Sequence, residues 1–365
     1  MVHRRRGDVI AKKATIIAVT NQKGGVGKSY LTFQVAAKYA QNNPKKKVLV
    51  VDLCPQANSS SMLLGGMIKG ENALSALHAT VPRTSIAGYM NDRIVSPYQN
   101  PRTGNRYLTQ LFKINPAISD NLYLIAGDEQ LELQASKVRA ATERGPDDAW
   151  RLVHMWVRDL IADVADAWAD VEHTVFVDCN PSFSIYTELA LSASDRLIVP
   201  FSADGSSKRA VRSVLALAYG VSRQAGQAQS EFFLGTLRHS MNRPKIYMYV
   251  GNRLTQSYYS SAAAFKTVVT EIGDEIYDVW RENPNEFCIH PPGSALPTNK
   301  KAFKAMFQKE VGDANTASVV SSTLGTPICQ MTSGSKLVLG KNVVVNQSQL
   351  EKQTPNILSL VDAIE

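Results

Sequence analysis

The stretch Asn21-Gln22-Lys23-Gly24-Gly25-Val26-Gly27-Lys28-Ser29 limits the folds open to this chain more than any other. Before it, Ala14-Thr15-Ile16-Ile17-Ala18-Val19-Thr20 reads as a short, β-branched, buried strand. After it, Leu31, Phe33, Val35, Ala36, Tyr39 and Ala40 recur at helical spacing, and Val48-Leu49-Val50-Val51-Asp52 is a second buried strand. Strand, glycine loop, helix and strand in that order form a βαβ unit, whose two strands run parallel. The loop therefore opens a helix, where backbone N–H groups lack partners. Glycines at 24, 25 and 27 let those groups turn toward an anion without a Cβ clash. Lys28 is placed to reach the β- and γ-phosphates of a nucleotide, and the Ser29 hydroxyl to bind Mg²⁺. The ordinary phosphate-loop pattern has glycine where this chain has Gln22. What matches is a variant with lysine at its second position, Lys23 through Ser29.

The rest of the chain fits one α/β unit. Of 365 residues, 44% are apolar and 20% charged, which excludes collagen-like, disordered and disulfide-scaffold classes. No apolar run approaches the ~20 residues of a membrane span. Cys54, Cys179, Cys288 and Cys329 lie far apart with no CxxC pair, which fits a reducing cytosol. Residues 1–13 form a basic tail that contains Arg4-Arg5-Arg6. Residues 14–365 are expected to form a single domain with insertions at about 66–120 and 273–325. Further strands are expected at 121–125, 174–178, 196–200 and 245–251. Helices are expected at 147–169, 206–224, 257–272 and 300–310. Trp150, Val153, Val157, Leu160, Ile161, Val164 and Trp168 make 147–169 amphipathic, with its Trp and Met side chains in the core. The expected architecture is a three-layer α/β fold: a twisted, mostly parallel sheet with helices on both faces and a nucleotide at the carboxyl end of the first strand.

The variant loop resembles that of the deviant Walker A group of P-loop ATPases, the ParA/MinD family. Two further segments carry the resemblance. Val51-Asp52-Leu53-Cys54-Pro55-Gln56-Ala57-Asn58 is similar to the family's D-x-D-P-Q-x-N, and Val175-Phe176-Val177-Asp178-Cys179-Asn180-Pro181-Ser182 to its hhhhD-C-P-P-S. Ser194 to Phe201 and Asn121 to Asp128 resemble two more of its strands. The similarity runs over about 14–65 and 121–225.

By this resemblance, ATP and Mg²⁺ are the cofactors. Lys23 reaches across an ATP-dependent homodimer to the partner's nucleotide, Lys28 binds phosphate, and Ser29 and Asp178 serve Mg²⁺. Asp52 supports the switch. Nucleotide contacts are implied for Gln22, Lys23, Gly24, Gly25, Val26, Gly27, Lys28, Ser29, Tyr30, Asn252 and Pro327. One departure bears on catalysis. The family's second aspartate, which orients or activates the attacking water, is Cys54 here. A thiol is mostly neutral at pH 7 and a poor proton acceptor. ATP hydrolysis is therefore expected to be slow without DNA or a partner.

The net charge of +8 permits a polyanionic partner. ParA resemblance implies non-specific binding of duplex DNA by backbone electrostatics, for which Arg209, Arg212, Arg223 and Lys266 are candidates, with Lys300, Lys301 and Lys304 as a further basic cluster. The implied function is a cytoplasmic, nucleoid-associated ATPase that segregates or positions plasmid or chromosomal DNA with a ParB-like adaptor. Alternatives are a slowly or non-hydrolysing ATP-gated DNA-binding scaffold or repressor, and a positioning ATPase for a protein cargo. A MinD-like membrane role would need a basic amphipathic C-terminal helix, and residues 355–365 are acidic at their tip.

Overall fold

The computed structural model describes residues 14–169, 171–221, 228–254 and 261–364. Its strands are β1 (Thr15–Val19), β2 (Lys47–Asp52), β3 (Leu108–Gln110), β4 (Leu122–Ile125), β5 (His173–Asp178), β6 (Arg196–Phe201), β7 (Lys245–Leu254), β8 (Gln308–Gly312), β9 (Gly334–Val338) and β10 (Lys341–Val345). Its helices are α1 (Lys28–Asn42), α2 (Asn58–Leu64), α3 (Gly66–Ala79), α4 (Ile86–Val95), α5 (Gln130–Glu143), α6 (Ala149–His154), α7 (Trp156–Ala167), α8 (Ile185–Ala193), α9 (Ser207–Tyr219), α10 (Glu231–Arg238), α11 (Ser261–Glu282), α12 (Lys300–Phe307), α13 (Thr316–Leu324) and α14 (Gln347–Asp362).

Eight strands form one sheet in the order β3-β4-β2-β5-β1-β6-β7-β8. All neighbours pair in parallel except β3, which adds antiparallel to β4. Strand β1 lies between β5 and β6, so its carboxyl end opens at the middle of the sheet. Alternation along β1 shows why its sequence is apolar from Ile16 to Val19. Ile16 and Ala18 enter one core with α4, α7, α8 and α9, while Ile17 and Val19 enter the other with α1, α2, α13 and α14. Continuous apolar strands are what a sheet covered on both faces requires. This is the three-layer, mostly parallel architecture read from the sequence. β9 and β10 form a separate antiparallel hairpin.

Two expected helices end differently. The 147–169 segment is interrupted at Met155, whose ψ of −5° separates α6 from α7. Trp156 is buried, but Trp150, Met155 and Trp168 are only half-buried. In the 300–310 segment α12 stops at Phe307, and Gln308–Gly312 becomes β8. Pairing with the outer edge of β7 outweighs the helical propensity of those residues. Residues 66–120 hold α3, α4 and β3, with Tyr107, Leu111 and Ile118 buried in the two cores.

Candidate nucleotide site

The loop after β1 is built as its glycines suggest. Gly25 and Gly27 take φ of +75° and +82°, the left-handed region that a side chain resists, and a Cβ on Gly24 or Gly25 would meet nothing within 4 Å. The loop thus lines an open cradle. Helix α1 begins at once, with Leu31 N donating to the Gly27 carbonyl at 2.9 Å. Two buried asparagines brace the loop from behind. Asn21 Nδ2 donates to the Pro200 carbonyl at 2.7 Å, and its Oδ1 accepts from Lys23 N at 3.0 Å. Asn252 Nδ2 donates to the Val26 carbonyl at 2.8 Å. Asn252, a candidate nucleotide contact, thus supports the loop through buried Val26.

A cleft of about 640 Å³ opens in front. Gly24, Gly25, Gly27, Lys28, Ser29 and Tyr30 form its floor, and Cys54, Gln56, Cys179 and Pro181 one end. Met62, Met67, Glu71, Ser322 and Thr323 also line it, and the sequence singled out none of them. Exposed Gln22, buried Val26 and buried Pro327 lie off the cleft surface. Pro327 heads a short turn over α1, where Ile328 N donates to Gln34 Oε1 at 2.8 Å. Tyr30 is buried, and its hydroxyl donates to Gln353 Oε1 at 2.6 Å, tying the loop's helix to α14.

The charged groups divide by environment. Lys28 is buried and donates to the Lys23 carbonyl at 3.0 Å. Burial lowers its pKa, while Asp178, Cys179 and Cys54 act to raise it. Asp52 and Asp178 are register partners on adjacent strands, and both are fully buried. Asp52 is saturated: Oδ1 accepts from Cys54 N at 3.0 Å, and Oδ2 from Ser60 N at 3.1 Å and Ser60 Oγ at 2.7 Å. Asp178 is the opposite case, since neither carboxylate oxygen has a hydrogen-bond partner among the described residues. Burial, then the neighbouring Asp52, pushes its carboxyl well above the usual range, while Ser29, Ser59 and Lys28 pull the other way. Cys54 is buried too. Burial, Asp52 and Asp178 push its thiol up to about 12, so it stays neutral.

Lys23 points away from the cleft. Its ammonium pairs with Asp204 and lies 3.2 Å from Ser202 Oγ, both just after β6. Asn21, Ser60, Ser202 and Asp204 are site-building residues that sequence reading missed. An Asn at a strand end and a Ser inside Asn58–Leu64 are too common to stand out.

The DNA candidates sit apart from this cleft. Arg209 is exposed on α9 and Lys266 on α11. Arg212 is engaged by Glu275, and Lys208 by Glu271 at 3.0 Å, in a ladder between α9 and α11. Lys300 and Lys304 both pair with Asp274. Arg223 and the 1–13 tail lie outside the described residues.

Residues 14–225, more than half of the chain, match the family model described as AAA domain. The chain belongs to the ParA/MinD-type P-loop ATPase family. It is similar to the chromosome partitioning protein ParA of Myxococcus xanthus, 29% identical over 185 residues, which are 51% of this chain and 51% of that protein. The chain thus spans about half the length of that relative. It is also similar to an uncharacterized protein of Pseudomonas putida, 26% identical over 234 residues, 64% of this chain and 72% of that one. Among solved structures it is similar in fold to pNOB8 ParA, with a TM-score of 0.50, 15% identity and 81% of each chain covered. A complex of a Cyanothece McdA variant with ATP matches with a TM-score of 0.49 and 14% identity, over 80% of this chain and 95% of that one.

ATP and Mg²⁺ are the cofactors of this family, and the residues present fit them. The open glycine cradle beside Lys28 suits phosphate. The unpartnered Asp178 oxygens with the Ser29 hydroxyl give the all-oxygen donor set that Mg²⁺ takes. Among the described residues no helix is long and apolar enough to cross a membrane.

Proposed function

We propose that this chain is an ATP-dependent dimerising ATPase that binds duplex DNA without sequence preference and segregates or positions plasmid or chromosomal DNA with a ParB-like adaptor. The observation that carries this reading is the pairing of two unlike buried carboxylates behind the loop. Asp52 is saturated by the segment that follows β2, while Asp178 is left for a cation. Such a pair lets the Asp52 loop respond to what fills the cleft. Ser29 and Asp178 would hold Mg²⁺, which would neutralise charge on the phosphates. Lys28 holds the phosphates and the Gly24–Gly27 backbone cradles them. Lys23 leaves Asp204 and reaches the nucleotide of a second copy. The reading puts the protein in the cytoplasm, on the nucleoid. Residues 14–365 act as one ATPase unit, with 66–120 and 273–325 as its own additions.

Exposed Arg209 and Lys266, on two helices that pack together, support a shared DNA face. Arg212 already pairs with Glu275, so its contribution to DNA binding is smaller. Sedimentation with ATP or ADP, followed by DNA binding over a salt series, tests the proposal. An ATP-only dimer whose DNA affinity falls steeply with salt, and falls less steeply in Arg209→Ala and Lys266→Ala, is the expected result. A chain that stays monomeric with ATP, or ignores DNA in both states, overturns it.

Buried, neutral Cys54 favours a second reading, an ATP-held clamp that barely hydrolyses. Steady-state turnover with and without DNA separates the two.

A further inference from the structure

Cys54 leaves the cleft without the carboxylate that its family places there, and the structure offers another. Of the described residues that line the cleft, Glu71 alone is acidic. It is exposed and carries no ion pair among the described residues. Apart from Lys28, the other polar side chains that line the cleft are neutral. Gln56 is held by an amide contact, its Oε1 accepting from Asn58 Nδ2 at 3.2 Å. An amide can orient a water but takes no proton from it. Asp52 is fully buried and already accepts three hydrogen bonds, and Asp178 is reserved for the cation.

Helix α3, which carries Glu71, is seated firmly. A Cβ on Gly70 would lie 2.0 Å from the Ser61 carbonyl oxygen, so α3 rests directly on the backbone of α2. A Cβ on Gly66 would lie 2.2 Å from the Thr323 carbonyl oxygen, so the start of α3 rests on α13 in the same way. Ser61, Thr323 and Met67 all line the cleft with Glu71. Two glycines that admit no side chain thus fix the helix that presents this carboxylate.

We propose that Glu71 supplies the carboxylate that Cys54 lacks and accepts the proton of the water that attacks the terminal phosphate of ATP. This rests on the reading of the chain as an ATPase. A lone pair of the water oxygen forms the new bond to the terminal phosphorus. The bond from that phosphorus to the bridging oxygen breaks, and its electron pair leaves on ADP. The water proton passes to Glu71 and, because the side chain is exposed, on to solvent.

Single-turnover hydrolysis of prebound ATP, with affinity measured separately by a fluorescent ATP analogue, tests the assignment. Glu71→Gln is expected to slow hydrolysis about a hundredfold and to hold affinity within about threefold. Adding Cys54→Asp to Glu71→Gln is expected to restore the rate, which a merely structural role for Glu71 does not explain. If Glu71→Gln hydrolyses ATP at the wild-type rate, the assignment falls and the ATPase reading stands. Loss of the rate in Gln56→Ala instead would then give the water to Gln56. A slow Glu71→Gln that Cys54→Asp cannot rescue, with affinity lost as well, also overturns the assignment. Wild-type protein that binds ATP and never hydrolyses it, with or without duplex DNA, overturns both this assignment and the partition-ATPase reading and leaves the ATP-held clamp.

Discussion

The ammonium of Lys23 is held by Asp204 of the same chain, 181 residues away, across the gap between the loops that follow β1 and β6. Ser202 Oγ donates to the same carboxylate at 2.7 Å, and Ser206 N and Oγ reach its other oxygen at 3.0 and 2.8 Å. The lysine proposed to act across a dimer is thus parked on its own protomer. Leaving Asp204 is a cost of dimerisation. Both side chains are partly exposed, so the pair is worth about 0.2–1 kcal/mol. Because each protomer of the dimer frees one such pair, Asp204→Asn is expected to tighten ATP-dependent self-association by about twofold to thirtyfold. Analytical ultracentrifugation with a non-hydrolysable ATP analogue reads this directly. An unchanged or weaker dimer would show that Asp204 does not restrain Lys23.

The same pair has a defined pH range. Partial burial raises the Asp204 carboxyl, but the Lys23 ammonium and the Ser202 and Ser206 hydroxyls outweigh it and hold it below the usual carboxylate range. A depressed carboxylate contributes stability that is present above its unfolded pKa and lost as pH falls through the folded value. Between about pH 8 and pH 5 the restraint therefore persists, and the Asp204→Asn effect on dimerisation is expected to be the same at both.

Lys28 is a buried cation, and the proposed function gives its charge to the phosphates. Replacing it by Met removes a desolvated ammonium with one carbonyl partner, so the apo protein is expected to melt at the same temperature or higher. The shift in melting temperature on adding Mg²⁺ and ATP is expected to vanish. Thermal scans with and without nucleotide check both halves.

Cys54→Asp puts a third acid beside two buried carboxylates. The setting that pushes the Cys54 thiol up to about 12 would raise the new carboxyl as well. An acid with a raised folded pKa destabilises increasingly as pH rises from its unfolded value toward its folded one. The variant is thus expected to lose more stability relative to wild type at about pH 8 than at about pH 5. Denaturation curves at the two values test the sign.

Gly70→Ala forces α3 off the backbone of α2 and is expected to cost about 1–3 kcal/mol. Asn121→Ala should cost a similar amount, about 1–3 kcal/mol. Its Nδ2 lies 3.0, 3.0 and 2.9 Å from the carbonyls of Ala40, Asn43 and Lys46, and so finishes α1. Urea unfolding measures both. Gly70→Ala is expected to weaken nucleotide binding as well, and Asn121→Ala is not.

Much of the fold follows from local pattern. Residues 14–52 contain their own instructions: an apolar strand, a run of glycines that only a sharp loop can use, a helical repeat and a second apolar strand. Neighbouring residues there act on one another directly, so β1, α1 and β2 are legible without a partner. Lys28, Ser29, Asp52 and Asp178 are legible as candidates for the same reason, since the first two open the helix after the glycine loop and the other two end apolar strands. What needed the tertiary structure lies between distant segments. Gln308–Gly312 becomes a strand because β7 offers an open edge. Asp204 meets Lys23 because β6 lies beside β1. Glu71 reaches the cleft because Gly66 and Gly70 let α3 rest on α13 and α2. The sequence by itself determined the loop, its two cationic side chains and the parallel sheet behind it, through short-range spacing. Only the tertiary structure decided which carboxylate is hydrogen-bonded, which is buried without a hydrogen-bond partner and which lines the cleft, because those settings depend on burial and on partners far along the chain.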